Sequence, residues 1–294
     1  MKKIIIAGGT GFIGQYLQDK YTQEGHKVII ISRQKNHLNW TDSRGIQLAL
    51  ENSDLLINLA GKSVDCRYTA KNKAEIFKSR ISTTQLLGEA IGHCFNPPKL
   101  WINSSTATIY RHEEERANTE SQGIIGHGFS VDVAKQWEST FFKFELPQTR
   151  QVALRIAIVL GNQGGAFIPI KNLVRFGLGG SQGNGRQMFS WLHIKDLKNT
   201  IEFIMQHEEL KGAINCVSPN AIQNKTLMRT LRKAMHSPFG LPMPKWLLQM
   251  GARFINTETE LVLKSRWVYP ETLLNNGFQF EYSTLEKALE DLIK

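Results

Sequence analysis

Along the first half of the chain, short apolar runs alternate with longer segments whose apolar residues recur at helical spacing. The apolar runs, rich in isoleucine, leucine and valine, are Lys2–Ala7, Val28–Ser32, Asp54–Ala60, Leu100–Ser105 and Val152–Leu160. Continuous apolar runs of this length are typical of strands that are buried on both faces of a parallel sheet. The alternation therefore predicts an α/β fold in which helices cross over between parallel strands.

Three segments between these runs predict the crossover helices. Phe12–Glu24 places apolar residues along one helical face, and Gly25 after it favours a helix C-terminus. Longer helical stretches are predicted near Ala70–Cys94 and Val131–Glu145. Strands and helices in this order predict a Rossmann-type doubly wound parallel sheet.

The second half of the chain has a different texture, with glycine- and proline-rich segments. Gly164–Gly165 and Gly177–Gln187 predict loops, and Ser237–Trp246 holds three of the nine prolines. Helices are predicted at Ile194–Gln206, near Trp246–Phe254, at Thr259–Ser265 and at Thr284–Ile293, with a strand at Ala213–Val217. We therefore expect a smaller, mostly helical C-terminal lobe beside the sheet.

Composition narrows the class of protein. Hydrophobic residues make up 41% of the 294 residues and charged residues 21%, as in ordinary soluble globular proteins. No apolar run approaches the roughly 20 residues that span a bilayer, so we expect no membrane association. The three cysteines lie far apart, which favours a reducing, cytoplasmic compartment over a disulfide framework or a zinc site. No metal site is therefore expected.

The chain carries 36 Lys+Arg against 26 Asp+Glu, a net charge of +10. Nucleic acid is one partner that such a charge fits, but the basic residues are scattered rather than gathered in one tract. A phosphate-bearing small ligand, or solubility alone, explains the charge as well, and no nucleic-acid partner is expected.

The turn between the first strand and the first helix reads GGTGFIG. Glycines let the backbone approach a diphosphate closely, and the helix N-terminus behind them offers unpaired N–H groups to its oxygens. A tight turn with no ligand is the alternative, but the order of strand, glycines and helix favours a dinucleotide. The predicted cofactor-binding residues here are Gly8, Thr10, Gly11, Phe12, Ile13 and Gly14.

The end of the second strand indicates which nicotinamide dinucleotide is bound. An acidic residue there would bind the ribose 2′-hydroxyl of NAD. This chain instead has Ser32, Arg33 and Lys35, and an arginine can bind a 2′-phosphate through two hydrogen bonds. NADP(H) is therefore preferred over NAD(H), although a solvated charge at a strand end is the alternative.

Several segments together resemble one superfamily. They are GGTGFIG (Gly8–Gly14), INLAG (Ile57–Gly61), SRIST (Ser79–Thr83), SSTATIY (Ser104–Tyr110), RIAIVLGNQGGAF (Arg155–Phe167), GRQMFSWLHIKDL (Gly185–Leu197) and the tail Arg266–Leu292. The chain resembles the extended short-chain dehydrogenases/reductases. It is most similar to their atypical branch of NAD-dependent epimerase/dehydratase-like proteins with a C-terminal domain of unknown function, some labelled cell-division-inhibitor homologues.

This resemblance implies a catalytic set: a Ser or Thr at a strand end, followed on a helix by a Tyr-x-x-x-Lys pair. Matching SSTATIY gives the first role to Thr106, and counting on in the family's register reaches Val131 and Lys135. The proton-transferring tyrosine is therefore replaced by Val131, while Lys135 can still bind the cofactor ribose. His127 is the candidate substitute for proton transfer, with Ser130 and Asp132 as further neighbours.

Weaker expectations concern other matched positions. Leu59, Ala60 and Gly61 end a strand at the carboxyl edge of the sheet, where open α/β sheets bind cofactors. The expected substrate-side residues are Arg80, Arg186, Trp191 and His193. For Arg80, a solvated charge on the helix is the alternative. A purely structural role is the alternative for His193, which with Asp196 can fix the loop and cap the next helix.

The expected division of the chain follows from these assignments. Residues 1–165, with returning segments at about 187–222 and 270–294, are expected to form the dinucleotide-binding domain. Residues 166–186 and 223–269 are expected to form the substrate-side lobe. The predicted function is an NADP(H)-binding epimerase/dehydratase-like oxidoreductase for an unknown small molecule, and the alternative is a non-catalytic NADP(H)-binding redox sensor or regulator.

Overall fold

The structure is a computed structural model that describes residues 1–248 and 263–293. The helices predicted near Trp246–Phe254 and at Thr259–Ser265 lie largely outside the described residues. None of the helices in the described ranges is long and apolar enough to cross a membrane.

Most of the predicted strands and helices that lie in the described ranges fall close to their predicted bounds, and further elements were not predicted. The strands are β1 (Lys3–Ala7), β2 (Lys27–Ser32), β3 (Leu38–Asn39), β4 (Leu55–Asn58), β5 (Leu100–Thr106), β6 (Arg150–Ile156), β7 (Ile158–Gly161), β8 (Gly164–Gly165), β9 (Met188–Phe189), β10 (Trp191–His193), β11 (Gly212–Cys216) and β12 (Ile222–Gln223). The helices are α1 (Phe12–Gln23), α2 (Ser43–Leu50), α3 (Ala70–Gly92), α4 (Phe129–Phe142), α5 (Phe167–Arg175), α6 (Ile194–Gln206), α7 (Asn224–Ala234), α8 (Glu271–Asn275) and α9 (Leu285–Leu292).

The main sheet has seven strands in the order β11-β6-β5-β4-β1-β2-β3, and every neighbouring pair is parallel. The order reverses between β1 and β4, where a doubly wound sheet opens a crevice for a ligand at its carboxyl edge. The predicted Rossmann-type fold is therefore confirmed.

Both faces of this sheet are covered, which explains the continuous apolar runs of its strands. Ile4 and Ile6 pack in a cluster with residues of α1 and α6, such as Leu17 and Leu197. Ile5 points to the other face and packs in a second cluster with residues of α2, α3 and α4. Successive strand residues alternate between the two faces, so neither face can be polar.

The single strand predicted at Val152–Leu160 is wrong, because the structure has two strands there in different sheets. β6 runs in the main sheet and ends at Ile156, whereas β7 pairs with β10 and β8 in a three-stranded sheet. The hydrogen-bond partners change at Ala157, whose N–H donates to Cys216 O at 3.1 Å, while the next amide faces Ser190. An apolar run shows that a segment is buried but does not report a change of partner.

The second half of the chain contributes a third apolar cluster. Residues of α5, α7 and α9 meet there around Trp191, which is fully buried. The glycines at 164 and 165, predicted as loop, form the short strand β8, which folds back on β7. Because α9 packs on α7, the lobe and the chain's last segment share one core, and the domain division stays a prediction.

Candidate cofactor and substrate site

Two glycines of the first turn are required by close packing. Gly8 follows β1 with φ +78°, and a Cβ there would lie 2.7 Å from Ala60 Cα. Gly14 lies in α1, and a Cβ on it would lie 2.5 Å from Gly9 Cα. These contacts bring the turn against the end of β4 and against its own helix, so any larger residue would displace backbone.

Gly11 leaves space in front of α1. It is the N-cap residue, and the nearest atom that a Cβ would meet is Gly8 O at 3.8 Å. No side chain caps the helix, and its first turn has no acidic residue. The N–H groups and positive dipole end of α1 therefore face open space, which fits the diphosphate of a dinucleotide.

The other residues predicted in this turn lie around that space. Thr10 is half-buried in the turn, and Ile13 packs on the core beneath the sheet. The ring of Phe12 packs against the β7–β8 hairpin, where a Cβ on Gly161 would lie 2.5 Å from it. Phe12 therefore holds the hairpin, while its amide belongs to the helix N-terminus.

The end of β2 lies beside β1 at the same edge of the sheet. Ser32 is buried, and its Oγ accepts a hydrogen bond from Gln34 N at 3.0 Å, which turns the chain. Arg33 and Lys35 are exposed, and neither forms an ion pair within the described ranges. Their cationic ends are thus available to a 2′-phosphate.

A buried polar network fixes the end of β4. Asn58 donates to Asn103 Oδ1 at 2.7 Å and to Thr84 Oγ1 at 3.1 Å, and its own Oδ1 accepts from Ala60 N at 3.1 Å. Leu59 N donates to Ala7 O at 2.8 Å. These bonds set the path of residues 59–61 beside the glycine turn.

Arg80 on α3 reaches the same edge. Its Nη1 donates to Lys62 O at 3.0 Å and Ile76 O at 3.1 Å. A Cβ on Gly61 would lie 3.0 Å from the guanidinium carbon, so the glycine makes room for the arginine. Burial lowers the pKa of Arg80 to about 10, which still leaves it charged at neutral pH.

A cavity of about 70 Å³ opens next to Arg80, between β5, α3 and α4. Its walls combine aliphatic and aromatic side chains with four hydroxyl groups, and none of the lining residues carries a carboxylate. They are Val64, Tyr68, Ile76, Arg80, Thr106, Thr108, Phe129, Ser130, Val133, Ala134 and Trp137. Of the predicted catalytic residues, Thr106 lies here.

The helix α4 turns a different face to this cavity than the sequence register implies. Ser130 and Ala134 line it, whereas Val131 and Lys135 do not. At about 100° per residue, Lys135 points about 170° away from the centre of the lining face. Lys135 is accordingly exposed. The positions that a Tyr-x-x-x-Lys pair would need at this cavity are therefore 130 and 134.

Val131 instead belongs to the core. It is fully buried in an apolar cluster with Ala107, Ile109 and Val268. The apolar side chains around Val131 favour an aliphatic residue, and the larger side chain of a tyrosine would overpack this site. The absence of a tyrosine at position 131 thus follows from packing.

Two hydroxyls that the sequence did not assign lie together in the cavity. Tyr68 Oη and Ser130 Oγ are 3.4 Å apart, and the Tyr68 ring packs edge-on against Phe129 at 4.9 Å. Ser130 appeared in the sequence only as a neighbour of the expected site, and Tyr68 lies in a coil without periodic pattern. His127 is exposed and is not among the lining residues.

The structure does not bring the other predicted substrate residues to this cavity. Arg186 is exposed, with its Nε 3.7 Å from Glu114 Oε2. Trp191 is fully buried, and its Nε1 donates to Asn220 O at 3.0 Å. Both side chains serve packing or the surface in this arrangement.

His193 has the structural role that was its alternative. Its Nδ1 accepts a hydrogen bond from Lys195 N at 3.2 Å and so caps α6. Its Nε2 lies 3.4 Å from Asp291 Oδ2, and the ring stacks on Tyr282 at 3.8 Å. Burial lowers the pKa of His193 to about 4, so the ring is neutral.

Behind the cavity, a buried ion pair fixes α4 on the sheet. Arg155 on β6 donates from Nε and Nη2 to the two carboxylate oxygens of Glu138 at 2.9 and 2.8 Å. Burial lowers the pKa of Arg155, but the bonds to Glu138 outweigh it, and the pKa is raised. Such a bidentate pair fixes the rotation of α4 about its own axis, and therefore determines which of its residues face the cavity.

The chain is similar to known protein families. Residues 4–127 match the NAD dependent epimerase/dehydratase family, and residues 243–292 match DUF1731, a domain of unknown function. An epimerase family protein of Staphylococcus aureus (strain N315) is 33% identical over 303 residues, covering 100% of both chains. Epimerase family protein YfhF of Bacillus subtilis (strain 168) is 33% identical over 300 residues, covering 99% of this chain and 97% of its own.

A solved structure is similar along nearly the whole chain. The human epimerase family protein SDR39U1 (isoform 2), determined with NADPH, superposes with a TM-score of 0.88 at 30% identity. The match covers 98% of each chain. A UDP-N-acetylglucosamine 4-epimerase from Bacillus cereus, 19% identical with a TM-score of 0.76 over 99% and 98% of the chains, shares the fold.

Proposed function

The chain belongs to the NAD dependent epimerase/dehydratase family, and on that premise we propose that it is an NADP(H)-dependent oxidoreductase of the extended short-chain dehydrogenase type, acting on a small molecule. The observation that carries the proposal is the open N-terminus of α1 at Gly11, with Arg33 exposed at the end of the neighbouring strand. The NADPH in the SDR39U1 structure supports the same cofactor.

The chain's residues have distinct parts in this proposal. The α1 N-terminus holds the diphosphate, and Ser32, Arg33 and Lys35 bind the 2′-phosphate. When bound, the nicotinamide supplies or accepts a hydride. The Thr106 hydroxyl, at the end of β5, holds the reacting oxygen in the cavity. These assignments leave proton transfer to the other hydroxyls of the cavity.

Ser130 and Tyr68 are the groups placed for that transfer. Their oxygens are 3.4 Å apart and both line the cavity with Thr106. A positioned acid or base contributes roughly 10²–10⁴-fold to a rate. Position 134, one turn after Ser130 on α4, is alanine rather than lysine. We therefore expect proton transfer to be slower than in a complete Tyr-x-x-x-Lys site.

A non-catalytic NADP(H) sensor or regulator is the second candidate. The observation in its favour is that position 134, which faces the cavity, is alanine, so the cation of the pair is missing there as well as the phenol. Partner affinity that differs between NADPH- and NADP⁺-loaded protein, with no turnover, would favour this function. Oxidation of NADPH with a carbonyl or sugar-nucleotide substrate would favour the enzyme.

The cofactor assignment is tested by Arg33→Ala. Loss of charge-assisted hydrogen bonds worth about 1.5–3 kcal/mol should weaken NADPH binding roughly 10- to 150-fold and leave NADH binding unchanged. The control is Lys27→Ala, which removes an exposed cation at the opposite end of the same strand. Fluorescence titration measures both affinities. NADPH binding that is equally tight in Arg33→Ala would contradict the assignment.

A further inference from the structure

The candidate substrate cavity contains a cation that has no acidic partner. Arg80 lines it, and no carboxylate forms an ion pair with Arg80 within residues 1–248 and 263–293. Its Nη1 donates to two backbone oxygens, while its Nε and Nη2 make no hydrogen bond in the same ranges. Two donors of a fixed guanidinium are thus left for another molecule.

The guanidinium is held in place. It packs on the indole ring of Trp137 at 5.1 Å, and Trp137 Nε1 in turn donates to Thr84 Oγ1 at 2.8 Å. Thr84 belongs to the network that fixes Asn58, at the end of β4. Because these contacts set the direction of Arg80, little conformational freedom is lost when it binds a ligand.

Arg155 provides a comparison, because within the described residues its charge is paired with a carboxylate and that of Arg80 is not. Arg155 is also largely withdrawn from solvent, but its Nε and Nη2 both donate to the carboxylate of Glu138, and its Nη1 donates to Tyr110 Oη. Removing a charge from water is costly unless an opposite charge is nearby. The pKa of Arg80 is lowered by burial, and no carboxylate opposes that effect. Its environment therefore favours an anion.

Two further basic side chains donate hydrogen bonds to one residue of the cavity wall. Lys264 Nζ donates to Thr108 O at 2.9 Å, and Arg266 Nε donates to Thr108 Oγ1 at 3.1 Å. Thr108 lines the cavity, and no acidic residue does. The lining formed by the described residues therefore carries one cation, Arg80, and no anion, which favours a negatively charged substrate.

We propose that Arg80 binds an anionic group of the substrate, a carboxylate or a phosphate, while Thr106 and Ser130 hold the oxygen at the reacting carbon. The proposal rests on the proposed function, because it takes the cavity as the substrate site. It defines the substrate class as small organic anions. A guanidinium fork fits both anions, so the experiment must distinguish them.

Calorimetric titration of NADPH-saturated protein tests the proposal with pyruvate, its neutral analogue pyruvamide, and inorganic phosphate. We expect pyruvate or phosphate to bind and pyruvamide not to bind. Arg80→Gln should weaken the anion roughly 10- to 100-fold. The control is Lys78→Gln, which removes an exposed cation from the same helix and should change nothing. The anion that binds more tightly identifies the group.

Three results would overturn the proposal: neither anion binds, Arg80→Gln binds as well as the natural chain, or Arg80→Gln weakens NADPH itself tenfold. The last result would assign the guanidinium to the cofactor. Arg80→Lys keeps the charge but loses the fork, and it carries the same test if Arg80→Gln does not fold. Failure of the proposed function is seen separately, as absence of NADPH binding before any anion is added.

Discussion

The rotation of α4 about its own axis decides whether position 130 or position 131 corresponds to the missing tyrosine, and a pair of substitutions can distinguish the two. If position 131 were the tyrosine's counterpart, Val131→Tyr would place a phenol at the reaction site. The structure instead has Val131 fully buried in an apolar cluster, with Ser130 on the cavity wall. Val131→Tyr must therefore force a large polar side chain into a packed core, whereas Ser130→Tyr extends into a cavity.

The expected magnitudes differ clearly. Overpacking costs about 1–3 kcal/mol and an unsatisfied buried hydroxyl a similar amount, so Val131→Tyr should lose roughly 2–6 kcal/mol. At about 2 °C per kcal/mol for a chain of this size, its Tm should fall by roughly 4–12 °C. Ser130→Tyr, on a wall open to solvent, should lose less than about 1 kcal/mol.

Thermal and urea unfolding measure both variants. Ser139→Tyr, at an exposed position of the same helix, controls for the effect of tyrosine on helix stability. Ser130→Tyr should also raise any NADPH turnover, because it brings a phenol to the cavity face. If Val131→Tyr were as stable as the natural chain and Ser130→Tyr unfolded, position 131 rather than position 130 would face the cavity, and the rotation of α4 would be wrong.

Further predictions concern the glycine turn and His193. Gly11→Ala should lower the free energy of unfolding by less than about 1 kcal/mol, yet bind NADPH weakly because its Cβ enters the space in front of α1. Gly14→Ala, whose Cβ would lie 2.5 Å from Gly9 Cα, should instead lower the stability of the fold. Equal stability of the two variants in urea would contradict this. Burial lowers the pKa of His193 to about 4 from 6.5, so the unfolded chain binds more protons between these values. The contribution of His193 to the free energy of unfolding is fully present above pH 6.5 and decreases by roughly 3 kcal/mol towards pH 4. His193→Asn, which can still cap α6, should flatten that slope in urea unfolding; an unchanged slope would refute the assignment.

Much of the fold follows from the pattern of apolar residues. Ile4, Ile5 and Ile6 can only form a strand that is covered on both faces, and the helix at Ile194–Gln206 has the predicted bounds. The division between β6 and β7 could not be predicted, because it depends on which strand lies beside each residue. The helix Asn224–Ala234, by contrast, has apolar residues at helical spacing and could have been found.

The cofactor turn was predictable because its chemistry lies in consecutive residues. The rotation of α4 about its axis was not predictable, because it depends on the loop that precedes the helix. Gly128, with φ +98°, starts the helix at Phe129, and the pair Glu138–Arg155 fixes its rotation from a distant strand. Counting along the sequence from Thr106 carries neither piece of information.

The expectations for Trp191 and His193 show a related limit. Both lie near a glycine-rich loop in the sequence, but β10 carries them into the core beside α6 and α9. Nearness in sequence to a functional motif therefore does not predict nearness in space. Tyr68, which does line the cavity, could be identified only once α3 and α4 were placed together.

Equilibrium titration of the purified natural chain with NADPH and, separately, with NADH tests the cofactor site. We predict saturable binding of one NADPH per chain, clearly tighter than binding of NADH, because the α1 N-terminus accepts the diphosphate and Arg33 the 2′-phosphate. No binding of either dinucleotide, or tighter binding of NADH, would rule out the proposed NADP(H) site.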